Sequence, residues 1–155
     1  MKDEPAVIIR LTGNGRIYRP GETLTGEYNL EELFADELKA LEVSVLWFTE
    51  GKGDEDMVVH QFWRTDLESG DAVRPQLPAR FESALPNSPL SYDGQIVKIR
   101  WCVRVRAFLH RGGKEVFAQK EFRLGNVPPT SSLARTSPLP LGEAQGVRAA
   151  PQERQ

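Results

Sequence analysis

An all-β, immunoglobulin-like antiparallel β-sandwich is the fold this sequence predicts, and three observations predict it. At least seven segments alternate apolar and polar residues at a period of two, turn-forming residues separate them, and no long stretch carries the 3.6-residue period of a helix. A chain of 155 residues, 39% hydrophobic and 27% charged, suffices for one such domain with its own core.

The strands follow in order. Val7, Ile9 and Leu11 alternate with Ile8, Arg10 and Thr12; after a turn at Pro20-Gly21, Leu24, Tyr28 and Leu30 alternate with Thr23, Thr25, Glu27 and Asn29. Leu30, Phe34 and Leu38 share a spacing of four, which predicts a helical turn over Glu31–Lys39 too short to alter the fold class. From Leu41 to Phe48 the pattern sets Val43, Val45 and Trp47 against Glu42, Ser44 and Leu46. Met57–Arg64 and Leu77–Glu82 are shorter strands, the second with Leu77, Ala79 and Phe81 inward. Ile96–Leu109 and Glu115–Leu124 are the strongest, and Gly112-Gly113 between them predicts a two-residue hairpin turn. That turn makes facing residues sum to 225, so Trp101 faces Leu124, Val103 faces Phe122, Arg104 faces Glu121 and Lys120 faces Val105.

This register defines the candidate site residues. Lys98, Arg100, Arg104 and Arg106 project from one face, interrupted by Cys102, as a basic stripe about 27 Å long. Lys120 falls on the core face, as a candidate buried charge: either it snorkels out at the rim or it pairs with a buried acid. The net charge of −2 hides an asymmetry that supports the stripe. Residues 1–60 hold 6 Lys/Arg against 13 Asp/Glu, whereas residues 97–125 hold 8 against 2. Two readings stay open: basic strands lying beside acidic ones, or a face that binds anions.

Catalytic and metal chemistry find little support. His60 and His110 have no nucleophile beside them in a motif of known mechanics, and no zinc spacing, phosphate loop or dinucleotide fingerprint is present. Cys102 would be acidified between Arg100 and Arg104, but a thiol on a regular strand is more often inert. Asp54, Glu55 and Asp56 lack the spaced ligands of a calcium loop and read as a solvated hairpin tip. No metal, no cofactor and no enzymatic activity are expected. The amino terminus lacks a signal-like apolar run and no segment could span a bilayer, so the expected location is cytoplasmic.

Composition changes abruptly after Gly125. Residues 126–155 hold 5 of the 11 prolines and no aromatic residue, which predicts a sandwich over 1–125 and a disordered tail over 126–155.

Two segments carry a family resemblance: Tyr18-Arg19-Pro20-Gly21-Glu22 with Gly26, and the run from Leu85-Pro86 through Ser91-Tyr92-Asp93-Gly94 into the strand Ile96–Leu109. From Val7 to Gly125 the chain resembles the arrestin family, with one sandwich where arrestins have two. It resembles a single arrestin-like domain such as is found in bacterial and sporulation-control proteins, and retromer-subunit-type arrestin folds are related to it. The resemblance implies a non-enzymatic adaptor or scaffold that binds a protein partner, with self-association through an exposed edge strand. The alternative is an anion-binding module using Lys98, Arg100, Arg104 and Arg106 for phosphopeptide, nucleic acid or acidic headgroups, nucleic acid being the least expected of the three.

Overall fold

A computed structural model describes residues 4–13, 16–53, 55–67 and 74–125. The segment expected to be a tail, 126–155, lies outside these described residues.

Among the described residues nine strands form two facing sheets. Strands β1 (Ala6–Leu11), β3 (Thr23–Glu31) and β6 (Ala79–Ala84) make a three-stranded sheet in the order β1-β3-β6. The larger sheet runs β2 (Ile17–Tyr18), β9 (Glu115–Leu124), β8 (Val97–Leu109), β4 (Leu38–Gly51), β5 (Met57–Asp66), with β7 (Tyr92–Asp93) also paired to β8. All pairings are antiparallel except that of β2 with β9, where Ile17 and Tyr18 run parallel to Arg123 and Leu124. The core lies between the sheets. Leu24 and Leu30 from β3 meet Val43 and Val45 from β4 and Trp101, Val103, Val105 and Ala107 from β8. Removing this apolar surface from water is the main force holding the sheets together.

Three strand-level expectations change. Facing residues on β8 and β9 sum to 223 rather than 225: Trp101 faces Phe122, Val103 faces Lys120, Arg104 faces Gln119 and Ala107 faces Val116. The cause is the turn. Gly112 (φ 69) and Gly113 (φ 61) do take positive φ, but they close a four-residue loop in which Leu109 N–H donates to the Lys114 carbonyl at 2.9 Å. A slip of two residues keeps every side chain on its face and changes every partner. Lys120 is exposed, and the expectation of a buried charge is corrected: on the side away from β8, β9 pairs only with the two-residue β2 at Arg123 and Leu124, which leaves its edge open at Lys120.

The strand expected over Leu77–Glu82 begins two residues later, because β3 offers its first partner at Tyr28, opposite Ala79. Leu77 is left in a turn, with its N–H donating to the Arg74 carbonyl. The helical turn contracts to a 3₁₀ turn at Ala35–Glu37, whose Glu37 carboxylate accepts from Phe34 N–H at 2.9 Å. Leu30, Leu33 and Leu38 are buried there while Phe34 is exposed, so the residues spaced by four do not share a face.

The two motif segments meet in space and form a seam at one end of the sandwich. Gly21 N–H donates to the Leu85 carbonyl (3.1 Å) and Leu85 N–H to the Glu22 carbonyl (2.9 Å). Tyr18 is buried and its hydroxyl donates to the Thr12 carbonyl at 2.6 Å, while Gly125 N–H donates to the Tyr18 carbonyl at 2.8 Å. Ser91 holds the end of β9 from both sides: its N–H donates to the Leu124 carbonyl and its Oγ accepts from Leu124 N–H. Trp101 reaches the same seam, donating Nε1–H to the Pro89 carbonyl at 2.8 Å. Gly26 allows close approach instead of a turn, since a Cβ there would stand 2.7 Å from both the Arg10 carbonyl oxygen and the Phe81 ring. The motifs are thus joints of the framework.

Candidate interaction surface

The outer face of the larger sheet carries the basic stripe, and the strand registers set its neighbours. Four rows run across β5, β4, β8 and β9: Arg64–Glu42–Arg106–Phe117, Phe62–Ser44–Arg104–Gln119, Val59–Leu46–Cys102–Glu121, and Met57–Phe48–Arg100, the last without β9. Each stripe residue therefore lies among residues of the acidic amino-terminal half.

Glu42 is the hub. Its side chain is only 12% exposed, yet it accepts from Arg64 on one side and stands 3.6 Å from Arg106 on the other. Arg106 also makes a two-pronged contact with Glu115, at 2.7 and 3.1 Å, which holds that carboxylate below its ordinary pKa. Both guanidiniums lie over the Phe108 ring, Arg106 at 4.9 Å and Arg64 at 5.4 Å from its centre. Arg100 donates to Glu50 and lies 3.4 Å from Glu121. Lys98 is registered between Glu50 on β4 and Asp93 on β7. Arg104, expected opposite Glu121, instead donates twice to the Gln119 side-chain oxygen at 3.1 and 2.9 Å. Acids thus stand beside Lys98, Arg100 and Arg106, whereas Arg104 is held by a neutral amide.

Beneath the stripe the middle of the outer face is shielded from solvent. Leu46 and Cys102 are buried although they point away from the core between the sheets. Arg104 supplies cover by bringing Nη1 to within 3.5 Å of the Met57 sulfur, diagonally over the Leu46–Cys102 row. Burial accordingly pushes the Cys102 thiol up to about 12, and this outweighs the opposite pull of Arg104. A raised pKa goes with the inert thiol expected on a regular strand, because loss of solvation acts on the thiolate more strongly than one guanidinium does.

The edge strand β5 is the part of this face that sequence reasoning passed over. Met57 is 54% exposed, Val59 45% and Phe62 49%. A bulge lies opposite Val45/Leu46: Gln61 faces Val45 and Val59 faces Leu46, which leaves His60 as the extra residue. His60 turns to the inner side, where its Nε2 lies 2.8 Å from the Ala84 carbonyl oxygen and its ring stands edge-on to Trp101 at 5.9 Å. A two-residue departure from strict alternation, Val58-Val59 before His60-Gln61, was the available signal for this bulge.

A concavity of about 310 Å³ opens where β1, β2, β7, β8 and β9 meet, with Arg16, Arg100, Lys120 and Arg123 set against Asp93 and Glu121. Arg16 is held by Glu22 at 2.6 Å and Arg123 by Asp93 at 2.8 Å, so these two cations are already engaged by carboxylates. His110 donates only its backbone N–H, to the Glu37 carbonyl. Among the described residues no group of three or more His, Cys, Asp or Glu side chains could hold a metal ion, and no helix is long and apolar enough to cross a membrane.

Comparison with known proteins agrees with this architecture. No family model matches the chain, and no curated protein matches it in sequence. Among solved structures it resembles Spo0M, the sporulation control protein of Bacillus subtilis, with a TM-score of 0.56 and 15% identity. The fold is arrestin-like. The match covers 80% of this chain and 50% of Spo0M, so the chain spans half the length of that arrestin-like protein. At this identity the likeness concerns the arrangement of strands alone.

Proposed function

We propose that this chain is a non-enzymatic, arrestin-like adaptor that binds a protein partner through the outer face of its larger sheet at edge strand β5, with the cytoplasm as its expected compartment. The observation that carries this reading is the contrast on that face: Met57, Val59 and Phe62 are about half exposed, while Arg100 and Arg106 are engaged by glutamates. Exposed apolar side chains on an edge strand favour contact with another protein. Guanidiniums already paired with carboxylates have less potential left with which to hold an anion, which weighs against an anion-binding role for Arg100 and Arg106 and so against a stripe of Lys98, Arg100, Arg104 and Arg106 acting together.

The test is affinity capture from extract of the source cells with the full chain, compared with Phe62→Glu and with a charge-removed variant carrying Lys98→Gln, Arg100→Gln and Arg106→Gln. The adaptor reading expects a captured protein that survives added salt, is lost with Phe62→Glu and is kept by the charge-removed variant. Capture that falls steeply with salt and vanishes with the charge-removed variant would overturn it in favour of anion binding.

A further inference from the structure

We infer that β5 is a self-complementary edge and that its occupant is β5 of a second copy of this chain, joined antiparallel about a two-fold axis between His60 and Gln61. The inference rests on the reading of β5 as a docking edge and names what docks there.

The bulge carries the argument. Met57, Val59, Phe62 and Arg64 face outward, in contact with or in register beside Arg104, Leu46, Ser44 and Glu42. Val58, His60, Gln61 and Trp63 face inward, towards Trp47, Trp101, Ser83 and Val43. The outward spacing is therefore two, three, two, which reads the same from either end. In an antiparallel pair, facing residues share a face of the sheet. A regular strand, alternating at a period of two, would match one half of this edge and present the wrong face to the other.

A second copy matches throughout. Met57 faces Arg64 of the other chain, Val58 faces Trp63, Val59 faces Phe62 and His60 faces Gln61. Two Val59–Phe62 pairs then form an apolar cluster on the outer face, continuous with buried Leu46, and every contact occurs twice as a two-fold interface requires.

Charge is confined to the ends of this arrangement. There Asp56 faces Thr65 and Glu55 faces Asp66 of the other copy, one like-charged pair at each margin, but between Met57 and Trp63 there is neither a charged residue nor a proline. Edge strands kept apart are usually protected by such residues.

Two measurements on the full chain test this. Sedimentation velocity over a concentration series should show a reversible dimer, with Val59→Lys and Phe62→Lys each weakening it about tenfold or more while the circular dichroism spectrum is unchanged. Mild oxidation of a mixture of Val59→Cys and Phe62→Cys chains should then give a disulfide-linked dimer that neither variant gives in comparable yield alone; these small changes serve even where a lysine impairs folding.

A wild-type chain that stays monomeric up to high micromolar concentration overturns the inference. So does a dimer that ignores both lysine substitutions, or a mixture that cross-links no better than its components. A monomer whose capture of another protein still depends on Phe62 removes the self-pairing and leaves the adaptor reading standing. A β5-dependent dimer that captures nothing supports the self-pairing and removes the adaptor reading alone.

Discussion

Arg104 and Met57, on strands separated by β4, meet at 3.5 Å between guanidinium and sulfur, above Leu46 and Cys102. Two flexible side chains thus lie over the middle of an outer face that no further layer covers among the described residues. Such cover is removable one side chain at a time, which makes its effect measurable at the thiol beneath.

The first prediction concerns that thiol. Cys102 should react with a disulfide reagent at pH 8 far more slowly in the native chain than in denaturant, because burial keeps it protonated with its pKa pushed up to about 12. The double variant Met57→Ala/Arg104→Ala should speed the native reaction while melting shifts little. An unchanged rate would mean that other side chains provide the cover.

Trp101 is fully buried, contacts Phe122 and His60, and donates to the Pro89 carbonyl. Trp101→Ala should cost about 3–5 kcal/mol, enough to unfold a typical domain in part. Trp101→Phe keeps the ring and strands the carbonyl, so it should cost less, and denaturant titration of both variants separates the packing from the hydrogen bond.

Glu42 should matter more than its exposed counterparts. It joins Arg64 and Arg106 from a nearly buried position, so Glu42→Gln should destabilise by about 1–3 kcal/mol, whereas Glu121→Gln, at the exposed end of a 3.4 Å contact, should be close to neutral. Equal effects in urea titration would contradict the hub.

At low pH the seam should loosen before the core. Asp93 is held below its ordinary value of 3.8, chiefly by its hydrogen bond from Arg123. Its stabilising contribution is present above the unfolded-state pKa and is lost as pH falls through the lower folded value, so it shows in the window below about pH 4. Asp93→Asn should lower stability at pH 7 and flatten that acid limb. A limb of unchanged slope would place the lost protons elsewhere.

Much of this fold was legible because burial writes itself into sequence as alternation. The faces of β1, β3, β4, β8 and β9 follow from apolar period alone, and Trp101, Val103, Val105 and Ala107 are buried where that period puts them. Partners were harder, since they depend on loop geometry: the four-residue turn at His110–Gly113 moved Arg104 from Glu121 to Gln119 without moving it off its face. The surface was least legible. Whether four cations make an open basic face or a ladder of ion pairs depends on which acids stand across β4 and β9, and Glu42, Glu50 and Glu115 lie up to 64 residues from the arginines that they engage. The exposed stretch of β5 differs from a half-buried strand only by its place at the sheet edge, and edge position is a property of topology.

The seam also decides how a pull would be carried. Gly125 leaves β9 bound to Tyr18, and Leu124 is bound to Ser91, so tension on the segment that follows falls first on three hydrogen bonds arranged around the end of β9. Behind them β9 lies antiparallel along β8 from Phe122 to Glu115, and a load along the strand meets those rungs together rather than in succession. Mechanically, the sandwich is a clamp that yields at its lip before its jaw.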